Sequence, residues 1–272
     1  FYHVITDNAF PYRVYGSQQD NSTVCIPGRT TGYGIERTDW YDVGGGESGY
    51  IAPSPVDNNI VYAGSYDGYL TRYDRRVDQG RDINVYPDNP MGDGAKAMKY
   101  RFQWTFPIVI SPHDPNRLYA AANVLFKTMN EGQSWTAMSG DLTRADTTKM
   151  VASGGPITKD NTSVEYYGTI FTVAESPRQK GVIWTGSDDG LIHVTKDGGK
   201  TWQKVLFIND RTGAVSLALN PANPNELYAG SWQAVRKPWT IVSGGPAAEC
   251  GIYKSTDGGE TWKHLDNGLP KA

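Results

Sequence analysis

One short pattern, an aliphatic residue, an aromatic ring and then small residues, returns five times along the chain. The copies are Val14-Tyr15-Gly16, Val61-Tyr62-Ala63-Gly64, Leu118-Tyr119-Ala120-Ala121, Ile183-Trp184-Thr185-Gly186 and Leu227-Tyr228-Ala229-Gly230, with steps of 47, 57, 65 and 44 residues between the aromatics. Four copies follow turns rich in Pro, Asp and Asn: residues 54–59, 111–116, 176–181 and 220–225. Those residue types favour turns through fixed φ and side-chain bonds to the backbone. Each unit reads as four short strands of β-branched and aromatic residues, without helical periodicity. In the third unit they fall near 107–111, 117–121, 124–128 and 134–139; in the fourth near 169–174, 182–186, 191–195 and 201–205; in the fifth near 214–219, 226–230, 251–255 and 261–265. Four-stranded units at this period predict an all-β chain, a β-propeller of antiparallel blades. A β-sandwich with recurring turns is the alternative, and the period favours the propeller. About five blades are expected, near 1–43, 49–87, 105–139, 168–205 and 213–265, in one region spanning 1–272.

A second repeat lies between the third and fourth strands. It reads Thr128-Met129-Asn130-Glu131-Gly132-Gln133-Ser134-Trp135, then Thr195-Lys196-Asp197-Gly198-Gly199-Lys200-Thr201-Trp202, then Ser255-Thr256-Asp257-Gly258-Gly259-Glu260-Thr261-Trp262. This is the Asp-box pattern. Asn130, Asp197 and Asp257 are expected to accept backbone N–H bonds in a tight turn. The glycines adopt backbone shapes other residues resist, and the tryptophans are expected to pack between sheets. The acids are then consumed by the turn, so the motif speaks for fold and little for function. Calcium at Asp197-Gly198-Gly199 would lack oxygen ligands within sequence reach.

Composition narrows the function classes. Charges nearly balance, 26 Lys and Arg against 29 Asp and Glu, so no basic surplus exists for nucleic acid. No apolar run approaches the roughly 20 residues that cross a bilayer as a helix. Cys25 and Cys250 form neither a disulfide framework nor a metal site by spacing; no metal and no cofactor is expected. Gly199-Lys200-Thr201 belongs to an Asp box rather than a phosphate loop. A Ser-His-Asp hydrolase is disfavoured: of His3, His113, His193 and His264, only His193 was expected near the mouth. The chain opens at Phe1 without an initiator Met, which suggests a processed or longer chain.

Propeller topology separates the loops. Asp boxes and Pro-Asp-Asn turns share one face. Loops joining strands two to three, and one blade to the next, share the other, around the channel mouth, where a rigid scaffold displays binding residues. That mouth is expected to collect Asp20, Asp67, Asp188 and Asp189 as candidate catalytic acids. Gln19, Asn21, Glu47, Trp104, Glu165, Trp232, Arg236 and Trp239 are its candidate ligand contacts. Rings that stack, beside amides and acids that bond hydroxyls or main chain, suit a glycan or a peptide. For any one of these residues, service to a turn or cover over a loop is the competing role. The stretch 231–239, with two Trp, Arg236 and Lys237, reads either as an exposed recognition loop or as a lid over its neighbour.

At the Asp boxes, and at Tyr15–Ser22, Arg101-Phe102-Gln103-Trp104, Gly140–Thr143 and Ser187–Gly190, the chain resembles the Asp-box propellers: sialidases, xyloglucanases, and the sortilin-like or glycosyl-hydrolase-like secreted bacterial proteins. The resemblance covers nearly the whole chain. It implies a secreted, periplasmic or cell-surface protein, and further domains in a longer chain. It also implies an unusual order, because segments like 209–246 lie upstream of segments like 1–204 in the family; a join near 205–206 is expected. The resemblance leaves two functions: a binding propeller for glycan or peptide, which requires no tuned carboxylates, or a glycoside hydrolase. A hydrolase needs two carboxyls about 5–5.5 Å or roughly 6.5–9.5 Å apart. Tyr12-Arg13-Val14-Tyr15 lacks the proline of the sialidase arginine motif.

Overall fold

The structure is a computed structural model that describes residues 1–155, 157–237, 240–243 and 249–268, with backbone alone at 234–237 and 240–243. Its strands form five antiparallel sheets, each a meander of sequence neighbours. The first holds β1 (Val4–Thr6), β2 (Arg13–Ser17) and β3 (Thr23–Pro27); the second holds β4 (Ile51–Pro53), β5 (Ile60–Gly64), β6 (Leu70–Asp74) and β7 (Gln79–Asp82). The third runs through β8 (Ile108–Ser111), β9 (Asp114–Ala121), β10 (Leu125–Thr128) and β11 (Thr136–Ala137). The fourth runs through β12 (Ile170–Glu175), β13 (Ile183–Ser187), β14 (Leu191–Thr195) and β15 (Gln203–Phe207). In the fifth, β16 (Thr212–Leu219), β17 (Leu227–Lys237), β19 (Gly251–Ser255) and β20 (Lys263–Leu265) pair in order, and β18 (Thr240–Ser243) pairs with β17. Helical structure among the described residues is four single 3₁₀ turns. β15 runs through residues 205 and 206.

Strand periodicity explains the stacking of sheets. Successive side chains on a strand point to opposite faces. The second strands are apolar on both faces because each sheet is covered on both sides. In β5, Ile60 and Tyr62 pack with Phe106, Ile108 and Leu118 of the third sheet's region, while Val61 and Ala63 pack with Tyr15 and Cys25 of the first sheet. In β9, Leu118 and Ala120 face the second sheet, whereas Tyr119 and Ala121 face Ile170 and Ile183 of the fourth. Trp184 then packs with Ala214, Leu227 and Ala229 of the fifth. The recurring aromatic-small pattern is therefore the middle of a two-faced sheet in a radial stack, a β-propeller arrangement.

Two expectations change. The first sheet has no fourth strand: beyond β3 only an isolated bridge, Cys25 with Tyr41, occupies that place. Residues 231–237 are strand rather than loop, because β17 continues to Lys237 and pairs with β18, with Ala234 opposite Ser243 and Lys237 opposite Thr240. Backbone pairing supplies an order that apolar periodicity did not announce.

The Asp boxes have one geometry in three copies. Asp197 Oδ1 accepts from Thr201 N at 2.9 Å and Thr195 Oγ1 at 2.8 Å, and Oδ2 from Thr201 Oγ1 at 2.7 Å. Asp257 repeats this with Thr261 N at 2.9 Å and Ser255 Oγ at 2.8 Å. Asn130 does so with Ser134 N at 3.0 Å and Thr128 Oγ1 at 2.9 Å. Gly198 N and Gly258 N donate to Gly181 O and Asn225 O, which fastens each box to the first turn of its own blade. The tryptophans join blades: Trp135 Nε1 donates to Ile83 O at 2.9 Å and Trp202 Nε1 to Met138 O at 3.0 Å, each just past the outer strand of the preceding sheet. Trp262 differs. Its Nε1 donates to Gly259 O at 3.1 Å, and its ring meets Trp184 edge-on at 6.4 Å.

Candidate functional site

On the face opposite the boxes, the loop after β5 turns sharply through Tyr66–Gly68. Asp67 sits in the left-handed region at φ 58°, a shape that short Asp and Asn side chains tolerate better than most. Gly68 follows at φ 79°, and a Cβ there would lie 2.7 Å from the Phe102 ring, so only glycine fits. This turn separates two recesses.

The first is a groove of about 570 Å³, lined by Asp20, Asn21, Glu47, Tyr66, Tyr69 and Asp82 with Gly45, Gly46, Ser65 and Thr71. It brings together three of the sequence-derived candidates from two blades. Glu47 Oε2 accepts from Asp20 N at 2.5 Å, which fixes the loop after β2 against the connection into β4. Trp104 stacks on Tyr66 with ring centroids 5.2 Å apart and planes 19° from parallel, so it braces the groove's aromatic wall. Gln19 precedes Asp20 on the loop after β2 and accepts from the Tyr2 hydroxyl.

The second recess is a narrow cleft of about 10 Å³ lined by Asp67, Tyr86, Asp88, Pro90, Tyr100, Phe102 and Tyr166. Asp67 is 6% exposed, and neither carboxyl oxygen has a hydrogen-bond partner. Burial pushes its carboxyl up to about 6, the hydroxyls of Tyr166 and Ser163 oppose that rise, and Glu165 adds to it. Both hydroxyls lie close enough to act on the carboxyl electrostatically without a hydrogen bond to it: Ser163 Oγ accepts from Asp67 N at 3.3 Å, and Tyr166 OH donates to Pro90 O at 3.4 Å. Glu165 itself accepts from Thr162 N at 2.9 Å.

Asp188 and Asp189 have different surroundings. Asp188 is 2% exposed and accepts from Thr169 N and Oγ1, both at 2.9 Å. Asp189 is fully buried; it accepts from Arg144 N at 2.7 Å and Ser187 Oγ at 2.5 Å. Burial, then the Asp188 charge, push Asp189 up to about 6. These bonds tie the fourth sheet to the connection before it. Arg101 acts similarly, reaching Gly168 O at 2.9 Å, Asp141 Oδ2 at 2.7 Å and Thr143 Oγ1 at 3.0 Å.

The structure does not bring Trp232 into the groove: no residue of the fifth sheet lines it, although Trp232 is 45% exposed on β17. Trp239 and the Arg236 side chain lie outside the described residues. His193, expected nearest the mouth, is a strand residue of β14. Tyr69 and Asp82 escaped the sequence reading. Asp82 reaches the groove because it pairs with Thr71 on the outer strand, and nothing local in the sequence marks that register. No group of three or more His, Cys, Asp or Glu able to hold a metal occurs among the described residues.

The BNR/Asp-box repeat family matches residues 193–204 and 253–264, the two boxes built on Asp197 and Asp257. The chain carries Asp-box repeats on a β-propeller fold. The third box, at Asn130, has the same Oδ1 bonds, with Nδ2 donating to Ser134 Oγ at 2.9 Å, and lies outside the family match. Over 224 residues, 81% of the chain, it is 22% identical to an oligoxyloglucan-reducing end-specific xyloglucanase of Emericella nidulans. It also superposes on the GH74 xyloglucanase of Xanthomonas campestris with a TM-score of 0.52, at 18% identity, covering 82% of this chain and 31% of that one. An ancestral GH74 enzyme gives 0.58 at 16% identity, covering 95% of this chain and 30% of that one. The chain spans about a quarter of the length of the curated relatives it matches. No helix among the described residues is long and apolar enough to cross a membrane.

Proposed function

We propose that this propeller recognises a glycan in the groove between its first and second sheets, outside the cell and as part of a longer chain. The observation that carries this reading is the groove itself. Tyr66 and Tyr69 offer ring faces to a pyranose, Trp104 stiffens that wall, and Asp20, Asn21, Glu47 and Asp82 offer hydroxyl partners. The xyloglucanase likeness supports a plant-type polysaccharide, and a polymer of that size meets proteins outside cells.

Hydrolysis is the second reading, favoured by one observation: Asp67 is a buried carboxyl raised to about 6, suited to proton donation near neutrality. Against it, the Asp67 cleft is far smaller than a sugar ring, and Asp188 and Asp189 are engaged by backbone and hydroxyl donors. Calorimetry with xyloglucan oligosaccharides, run beside a reducing-end assay, separates the readings. Binding without new reducing ends is expected. New ends that vanish in Asp67→Asn would favour hydrolysis. Neither heat nor cleavage, across plant and microbial polysaccharides, would contradict both.

A further inference from the structure

The loops after β5 and β13 are the same device in two blades. Gly64 pairs with Leu70, and Gly186 pairs with Ile192, so Ser65-Tyr66-Asp67-Gly68 and Ser187-Asp188-Asp189-Gly190 occupy one register. Asp67 and Asp189 are therefore equivalent positions, both more than nine-tenths buried. In the fourth sheet the preceding connection supplies Arg144 N–H, and Ser187 supplies a hydroxyl. In the second sheet neither is supplied, and both Asp67 oxygens are bare. A buried polar group without a partner is costly, by roughly 1–3 kcal/mol and more when charged, so the open valence at Asp67 calls for a donor from outside the chain.

The surroundings specify which donor. The cleft of about 10 Å³ holds one water-sized group, so a sugar ring is excluded and a compact head is not. Four aromatic side chains, Tyr86, Tyr100, Phe102 and Tyr166, line it, and ring faces attract cations through their quadrupoles. Two of these rings already hold one: Lys99 Nζ sits 4.9 Å from the Tyr86 centroid and 5.3 Å from that of Tyr100, yet it does not satisfy Asp67. The charged and titratable groups around the cleft are Glu165, Asp88, Tyr166, Tyr86 and Tyr100, with Lys99 over the last two rings; Lys99 is the one cation among them, and the two carboxyls Glu165 and Asp88 offset it. Calcium or magnesium would require about six or more oxygen ligands, and no group of three or more His, Cys, Asp or Glu able to hold a metal is present among the described residues.

From the bare carboxyl and its aromatic walls, we infer that the Asp67 cleft is a recognition subsite for a primary ammonium group. The guest is an –NH₃⁺ head on a sugar or on a flexible stem. It enters beside Tyr86, donates to the two Asp67 oxygens, and lies against the rings. The site is distinct from the groove, which the Tyr66–Gly68 turn walls off, and does not depend on the groove's ligand. The carboxyl is ionised above about pH 6, so the subsite is open at neutral pH and closes on acidification.

Carbon-13 carboxyl NMR of the whole 272-residue chain tests this, with the Asp67 resonance assigned by its loss in Asp67→Asn, an isosteric change. At pH 7.5, methylammonium chloride is expected to move that resonance saturably and to raise the melting temperature. Sodium chloride at equal ionic strength is not. Tetramethylammonium, too large for the cleft, is expected to act about tenfold more weakly. The rise in melting temperature should vanish in Asp67→Asn, and both responses should vanish at pH 5 and weaken in Tyr86→Leu. Glucosamine against N-acetylglucosamine, and an Nα-acetyl-lysine amide, then tell an amino sugar from a lysine side chain as the source. An Asp67 resonance that moves with methylammonium no more than with sodium chloride would overturn the inference and leave a water in the cleft.

Discussion

Aspartates at the two ends of equivalent strands, in different sheets, meet opposite electrostatic surroundings. Asp257, in its box, accepts from Thr261 N–H and hydroxyl and from Ser255. Those bonds, Thr261's first, hold its carboxyl down to about 2, and Asp197 is depressed in the same way. Asp67, at the mouth, accepts nothing and is pushed up to about 6 by burial. A carboxylate that receives donors is a structural part. One left bare inside an aromatic recess costs stability and persists where a ligand uses it. Asp189 lies between these cases, buried and raised, yet bonded. Asp189 therefore shows that a raised carboxyl alone does not mark a site; Asp67 differs from it in lacking a partner and in facing a cleft.

The comparison is broken most forcefully through the boxes. Trp202→Ala removes a ring packed against the third sheet's cluster and its bond to Met138 O. A loss of about 3 kcal/mol in urea unfolding is expected, the low end for aromatic truncation. A loss under about 1 kcal/mol, the size of an ordinary surface change, would mean the boxes do not join blades. Next, Trp104→Ala should weaken oligosaccharide binding about tenfold, or about 1.4 kcal/mol, because Tyr66 loses its stacking partner. The melting temperature should change little. Equal loss of binding in Asp257→Ala would erase the division between the faces.

The two carboxyls should also respond oppositely to pH. Asp67 has a folded-state pKa above its unfolded value, so the folded state binds the proton more tightly and stability falls as pH rises from about 4 through 6. Asp67→Asn should match the wild type below pH 4 and melt higher at pH 8. Asp257 has a depressed pKa, so its contribution is present above about pH 4 and is lost as pH falls toward 2. Asp257→Ala should melt lower at neutral pH, with the gap closing in acid. Thermal scans across pH check both; parallel curves for the two variants would contradict the assignment.

Much of this was legible in the sequence, for physical reasons. The aromatic-small strand is the two-faced middle of each sheet, so its recurrence carries the radial stack. The box residues bond within seven positions of one another, so their geometry is local and readable at Thr195–Trp202. The site is less so. Asp20, Asn21 and Glu47 do meet, because loop order alone sends them to one face. Asp67 and Asp189 share a Ser-x-Asp-Gly frame, and what separates them is Arg144 N–H, a backbone group 45 residues from Asp189. Tyr69 and Asp82 enter the groove through strand register. The stretch 231–237 read as part of a loop because an outlying strand pair, β17 with β18, needs no apolar period.

One measurement goes to the centre: the pKa values of Asp67 and Asp257 from a single carboxyl NMR titration of the ligand-free chain. Asp67 is expected near 6 and Asp257 near 2. Values for both close to 4, the range of unperturbed aspartates, would contradict the claim that one face is built from satisfied acids and the other keeps an acid open for a ligand.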